Sequence, residues 1–313
     1  MNSNIVKRTI LTCCILGILL ILPTCLCLGA DKLNVVTTTP NLASIAESVG
    51  GEHVSVTSIG SGDEDPHFIQ AKPSYMMKAR KADLWIRVGM ELEIGYEGLI
   101  LQGSRNPRIQ INMPGHLDAS EGILKLEVPT AKVDRSMGDV HPMGNPHYWL
   151  DPYNGKIIAN NICRRLKQLD PDDANDYDRN LTVFISKLDN AMAGWAAKLK
   201  PFEHAKIVTY HRSWPYFANR FNLDVVAELE PKPGIPPGPG HILEVINTMK
   251  AEKAKVILME PFYNRDDAEA VAKKTDAKVV VVPNAVNEQV KDYIAMLDNV
   301  VNRLSEALSE ASK

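Results

Sequence analysis

The sequence predicts an α/β fold: two similar parallel-sheet domains joined by a single long rigid helix. Three observations carry that expectation. Short β-rich runs alternate with helical patterns from residue 33 to about 169, and the alternation resumes from 203 to the end, the mark of parallel sheets with helices on their faces. Residues 170–202 between them have no strand signal. There, Leu181, Phe184, Ile185, Leu188, Met192, Trp195 and Leu199 recur at three- and four-residue steps. One helix of about 25 residues spans roughly 38 Å, enough to bridge two domains. The expected organisation is a leader or anchor over 1–30, an N-terminal α/β lobe over 31–169, a linking helix over 170–202 and a C-terminal α/β lobe over 203–313.

In chain order, LNVVTTT is a strand that stops at Pro40, and NLASIAESVG is a helix ending at a Gly pair. EHVSVTSIG reads as a strand, PSYMMKARKADLWIRVG as a helix running into a strand, GYEGLILQG as a helix, PRIQINM as a further strand and KIIANNICRRLKQL as a helix. The linking helix is opened by Asp170-Pro171, with acidic residues near its positive end. After it, AKIVTYH, LDVVAEL, AKVILME and AKVVVVP are strands separated by helical WPYFANRFN, HILEVINTMKAEK and RDDAEAVAKKTD, and a helix closes the chain. PKPGIPPGPG at 231–240 is a stiff loop, because its prolines fit neither a helix interior nor a central strand.

The 313 residues are 45% apolar and 23% charged, with net charge -3. That composition suits a two-domain globular chain and gives no basic footprint for nucleic acid. Residues 1–30 stand apart. Lys7 and Arg8 precede an almost wholly apolar run, and Ala30 is a small residue suited to the position before a cleavage. This is the pattern of a secretory signal. The run, about 19 residues long, is also long enough to remain as a membrane anchor, and lipid modification at Cys25 is a third possibility. Cys13, Cys14, Cys25 and Cys27 lie inside this segment. Only Cys163 would remain in an exported chain, which excludes an internal disulfide. Its helical setting reads as core.

Ligands of open parallel sheets sit beyond the carboxyl ends of the strands. Four candidate donors fall near such ends or in the following loops: His67 and His147 in the first lobe, His211 and Glu260 in the second. His67 and His147 each follow a proline, which limits backbone freedom and helps aim the ring. Neutral imidazoles plus a carboxylate make a set for zinc or another late divalent metal. The other reading of each is a core histidine or a helix-capping carboxylate, and no HExxH, CxxC or short ligand pair decides between them. His141, six residues before His147, could touch the same cleft. His53, His116, His204 and His241 read as solvent-facing or turn residues. Trp149 and Trp214 read as packing beside the cleft.

Together, NVVTTTPNLASIAESVGG, DPHFIQAKPS, NPHYWLDP, TYHRSWPYFANRFNL and ILMEPFYN, in this order, are specific. From about Leu33 onward the sequence resembles the zinc/manganese branch of metal-binding solute-binding proteins of ABC transporters. The resemblance implies two lobes on a rigid helix, with metal ligands at His67, His147 and His211. Manganese-preferring relatives tend to carry Glu in the third position, so His211 leans toward zinc, with Mn²⁺ or Fe²⁺ as alternatives. Their fourth ligand is usually an Asp near the last strand. Here Asn284 stands in that region, and Glu260 or water is expected instead. The loop before His147 is short, with one histidine, where many zinc-specific members have a His- and acid-rich loop. The implied function is non-enzymatic: a periplasmic or otherwise extracytoplasmic monomer that captures the metal and hands it to an ABC permease in the cytoplasmic membrane. The rival readings are a zinc hydrolase with Glu260 as general base, and an adhesin.

Overall fold

The computed structural model describes residues 32–133, 138 and 140–312. The segment expected to be a leader or anchor, with its four cysteines, lies outside the described residues. Lys32–Lys313 forms one compact unit.

The first sheet contains β1 (Leu33–Thr37), β2 (Val54–Ser58), β3 (Leu84–Arg87) and β4 (His116–Asp118), all parallel, in the order β2-β1-β3-β4. The second repeats that plan with β5 (Lys206–Thr209), β6 (Asp224–Glu228), β7 (Val256–Met259) and β8 (Lys278–Val281), in the order β6-β5-β7-β8. The central strands are short runs of apolar residues, and β7 is buried at every position. This is what a strand covered by helices on both faces requires.

The helices are α1 (Pro40–Gly50), α2 (Pro73–Lys81), α3 (Glu97–Ser104), α4 (Pro152–Leu169), α5 (Ala174–Leu199), α6 (Pro215–Phe221), α7 (Pro239–Glu252), α8 (Arg265–Thr275) and α9 (Tyr293–Ala311). Five begin with proline in the first turn, where its missing N–H costs nothing and its fixed φ suits the helix. The glycine pair after α1 works as expected: Gly51 takes φ 56° and donates to Glu47 O. Among the described residues no helix is long and apolar enough to cross a membrane.

The linking helix is α5, 26 residues long. Tyr177, Phe184, Leu188, Trp195 and Leu199 form its buried stripe. They join one apolar core that also takes Val35, Leu84 and Ile86 from the first sheet and Ile207, Leu258 and Val280 from the second. Trp195 Nε1 donates to Asp298 on α9 at 3.0 Å. The lobes therefore share a core along this helix.

Two local expectations fail. PRIQINM is no strand. The Asn106 side chain accepts from Arg108 N at 3.1 Å, Pro107 has no N–H for a ladder, and Pro107–Ile109 closes a 3-10 turn. The strand comes later, at His116–Asp118, so His116 is buried rather than solvent-facing and lies 3.0 Å from Glu97 Oε1. His53 is likewise no free surface residue: its ring nitrogens lie 2.6 Å from Asp173 and 2.9 Å from Asp176 at the start of α5. Cys163 is buried and unpaired, as its spacing predicts.

Because α5 carries core of both sheets, Leu188→Ala is expected to cost about 2–5 kcal/mol. Urea unfolding followed by circular dichroism and tryptophan fluorescence should give one coincident transition at a lower midpoint. Two separated transitions would contradict a shared core.

Candidate metal centre

Each sheet reverses its order of strand addition between its two central strands, which opens a crevice at their carboxyl ends. His211 follows β5 by two residues, and Glu260 follows β7 directly, so both leave the second sheet at that point. His67 sits in a 3-10 turn, Pro66–Phe68, in the loop after β2, and His147 precedes the turn Tyr148–Leu150 that leads into α4.

The three imidazoles meet. One ring nitrogen from each of His67, His147 and His211 lies within 4.8 Å of the other two. Their ring centroids form a nearly equilateral triangle of 5.1, 5.3 and 5.5 Å. Zinc at ~2.0–2.1 Å from three nitrogens in tetrahedral geometry would put the centroids roughly 5 Å apart. The rings border a cavity of about 230 Å³ whose wall includes His141, Glu127 and Arg212.

Every Nδ1 is already committed. His67 Nδ1 lies 2.6 Å from Asp65 Oδ1, His147 Nδ1 3.0 Å from Asn145 Oδ1, and His211 Nδ1 2.6 Å from Glu230 Oε2. The Asn145 amide is oriented by its surroundings: Nδ2 donates to Glu127 Oε2 and to the Arg212 carbonyl, while Oδ1 accepts from His147 N. Its oxygen can only accept from the ring, so Nδ1 of His147 carries the proton. A carboxylate oxygen imposes the same on His67 and His211. The Nε2 lone pair of each ring is then free, and Nε2 of His67 is buried without a partner. An oxygen acceptor behind a ligating imidazole fixes the tautomer and raises the basicity of the opposite nitrogen.

Two of these clamps share one local device. Asp65-Pro66-His67 and Asn145-Pro146-His147 are both Asx-Pro-His, and each Asx oxygen accepts from the histidine main-chain N–H at 2.9 Å as well as from its ring. This repeat was the sequence signal for Asp65 and Asn145, beyond the Pro-His pairs alone. Glu230 had no such signal. It lies 19 residues from His211 and is held by accepting from Gly234 N in the Pro/Gly-rich loop.

The electrostatics suit a cation. Burial alone would raise the Asp65 carboxyl, but the hydrogen bonds and charge of His67 outweigh it and bring it down to about 2. His147 is fully enclosed; burial first, then the neighbouring imidazoles, push it well below the usual histidine range, so it stays neutral and ready to coordinate. Tyr263 donates to Asp65 at 3.0 Å and stacks on His211.

Glu260 is placed differently from the three histidines. It is completely buried, and neither oxygen has a hydrogen bond of good geometry, although the Ser213 hydroxyl lies close enough to offset part of the burial effect. Burial, helped by the negative charges of Asp65 and Glu230, pushes its carboxyl up to about 8. Its oxygens are outside the mutually close set of ligand atoms, and it does not border the cavity. Asn284 is also buried; its carbonyl accepts from Asn41 and from Trp149 Nε1, and it too is away from the cavity wall. Trp149 packs on His147, while Trp214 is plain core.

Residues 35–307 match the family model described as zinc-uptake complex component A, periplasmic. The chain belongs to that family. It is 30% identical over 168 residues to the high-affinity zinc uptake system protein ZnuA of Brucella suis biovar 1, a match that covers 52% of this chain and 50% of that one. The chain thus spans about half the length of the Brucella relatives it matches. It is 26% identical over 290 residues to the manganese ABC transporter substrate-binding lipoprotein PsaA of Streptococcus pneumoniae, covering 90% and 91%. Among solved structures, a crystal structure of ZnuA superposes with TM-score 0.76 at 25% identity, covering 88% of this chain and 99% of that one. The Mn-bound periplasmic metal binding protein of Candidatus Liberibacter asiaticus gives TM-score 0.74 at 23% identity, covering 88% and 100%, a likeness of fold. The family is one of uptake components, not of enzymes.

A buried carboxyl with a raised folded-state value holds a proton that the unfolded chain has lost. Stability of the metal-free protein should therefore fall as pH rises from about 5 to about 8, the window set by the ordinary value of 4.5 and the folded value of about 8 for Glu260. Thermal melts across that range should show a shallower decline in Glu260→Gln than in the parent. Equal slopes would contradict a protonated Glu260.

Proposed function

We propose that this protein is an extracytoplasmic solute-binding protein. It captures a divalent transition metal, zinc in first place, between its lobes and delivers it to an ABC permease. Manganese or iron in the same role is the alternative. The observation that carries the reading is the convergence of one ring nitrogen from each of His67, His147 and His211, with an oxygen acceptor on every Nδ1 that leaves Nε2 for the cargo. Asp65 and Glu230 supply two negative charges behind the rings, which matches the charge of a divalent cargo. A third imidazole at His211, where a carboxylate would favour a harder ion, supports zinc over manganese. In this reading Glu260 stays protonated and uncharged near neutral pH, kept so by burial and by the charges of Asp65 and Glu230.

Capture requires unprotonated Nε2 atoms, so protons compete with the metal. Release is constrained by bonds across the mouth of the cleft. Tyr263 reaches Asp65, Tyr216 Oη donates to the Asn145 carbonyl at 3.0 Å, and Arg220 holds Asp151 through two bonds of 2.7 and 2.8 Å. Together with α5 these bonds favour small lobe displacements, so local side-chain or loop movement on docking to the permease opens the site. An amino-terminal signal, cleaved or kept as an anchor, would place the protein outside the cytoplasmic membrane. The manganese relative's description as a lipoprotein accords with that location.

The test is a titration of the metal-free protein with Zn²⁺ and Mn²⁺ against a chelator of known affinity. One tight zinc equivalent is expected, lost in His147→Ala and weakened about 10–100-fold in Asp65→Ala by removal of the oxygen behind the ring. Tighter binding of manganese than zinc would overturn the metal assignment. Negligible binding of either would overturn the transport reading.

A further inference from the structure

Three histidines leave a four-coordinate metal one position short, and the cavity wall contains a fourth imidazole. We propose that His141 is the fourth protein donor to the cargo metal and that it sets selectivity against manganese. The inference rests on the metal-binding reading above.

The ring of His141 lies 5.2 Å from that of His67, the same spacing found among the three convergent rings. Its Nε2 is buried and has no hydrogen-bond partner. Such an atom costs free energy to bury unless something binds it. Burial first, then the neighbouring imidazoles of His67 and His211, push this ring down to about 3, so it is neutral. Like His67, His141 therefore brings a buried, unpartnered Nε2 to the cavity wall.

Met90, beside His141, lies in an unusual turn. Gly89, Met90 and Glu91 take φ of 85°, 53° and 67°, three consecutive residues in the left-handed region. For Met90 and Glu91 that conformation is strained. The buried Glu93 carboxylate stabilises it by accepting from Val88 N at 2.7 Å, Gly89 N at 3.0 Å and the Thr38 hydroxyl at 2.7 Å.

His141 is not within the mutually close set formed by the other three rings, so coordination requires its ring to turn further over His67. It comes from the loop that precedes the Asn145 clamp, and Gly144 N donates to its carbonyl at 3.1 Å. Gly144, at φ 104°, gives that loop its bend. Glu260, the competing carboxylate, does not border the cavity. Four imidazole nitrogens suit zinc and other late divalent metals, whereas manganese prefers oxygen donors.

Zinc K-edge X-ray absorption on the protein loaded with one equivalent of Zn²⁺ counts the imidazoles directly through their multiple scattering. Four are expected in the parent and in Glu260→Gln, and three in both His141→Ala and His141→Gln. The His141 variants should also bind zinc about 10-fold more weakly while manganese binding stays unchanged. Three imidazoles in the parent, unaffected by either His141 variant, would overturn this inference and leave the three-histidine reading standing. A parent that binds no zinc would overturn both.

Discussion

The hydrogen bond on Nδ1 of each site histidine is the constraint on which the rest of the centre depends. A free imidazole can present either nitrogen and can rotate. Here the ring of His67 is fixed by Asp65, that of His147 by Asn145 and that of His211 by Glu230. Each bond selects one tautomer and one orientation, so three lone pairs converge before any cargo arrives. A site organised in advance loses little conformational freedom on binding. The cost is a group of buried polar atoms without partners, Nε2 of His67 among them, which a cation would satisfy.

The fold serves that constraint through its duplicated topology. Two sheets of identical strand order point the carboxyl ends of their central strands at a shared crevice. Two donors come from loops of the first sheet and one from the end of β5, so the centre exists only when both halves are packed. The common core along α5 and the bonds between Tyr263 and Asp65 and between Arg220 and Asp151 hold that packing. In the proposed function, a centre split between two lobes and braced in this way would couple metal binding to the stability of the whole unit.

Much of this was legible in the sequence. The short β-rich runs and the three- and four-residue steps of 170–202 reflect which faces are buried, so the α/β alternation and the long helix could be read directly. Prolines marked the starts of α1, α2, α4, α6 and α7, and the glycine pair marked the end of α1. The strand placed at PRIQINM shows the limit: a short apolar run was overruled by the Asn106 side chain and by Pro107. In the site, the Pro-His pairs pointed to His67 and His147, and the end of β5 pointed to His211. The Asx residue before each Pro-His carried equal information. Glu230 was not legible, because it reaches the site only through tertiary packing. Glu260 was named for its place at a strand end, and side-chain direction, which the sequence does not encode locally, sets it apart from the three rings.

Long-range ¹H–¹⁵N correlation spectra of the histidine rings test the central claim most directly. Before metal addition, at a pH where histidine rings are neutral, His67, His147 and His211 should each carry the ring proton on Nδ1. One equivalent of Zn²⁺ should shift their three Nε2 resonances to metal-bound values while Nδ1–H persists. Protonation on Nε2 in the metal-free state, or coordination through Nδ1, would contradict the account.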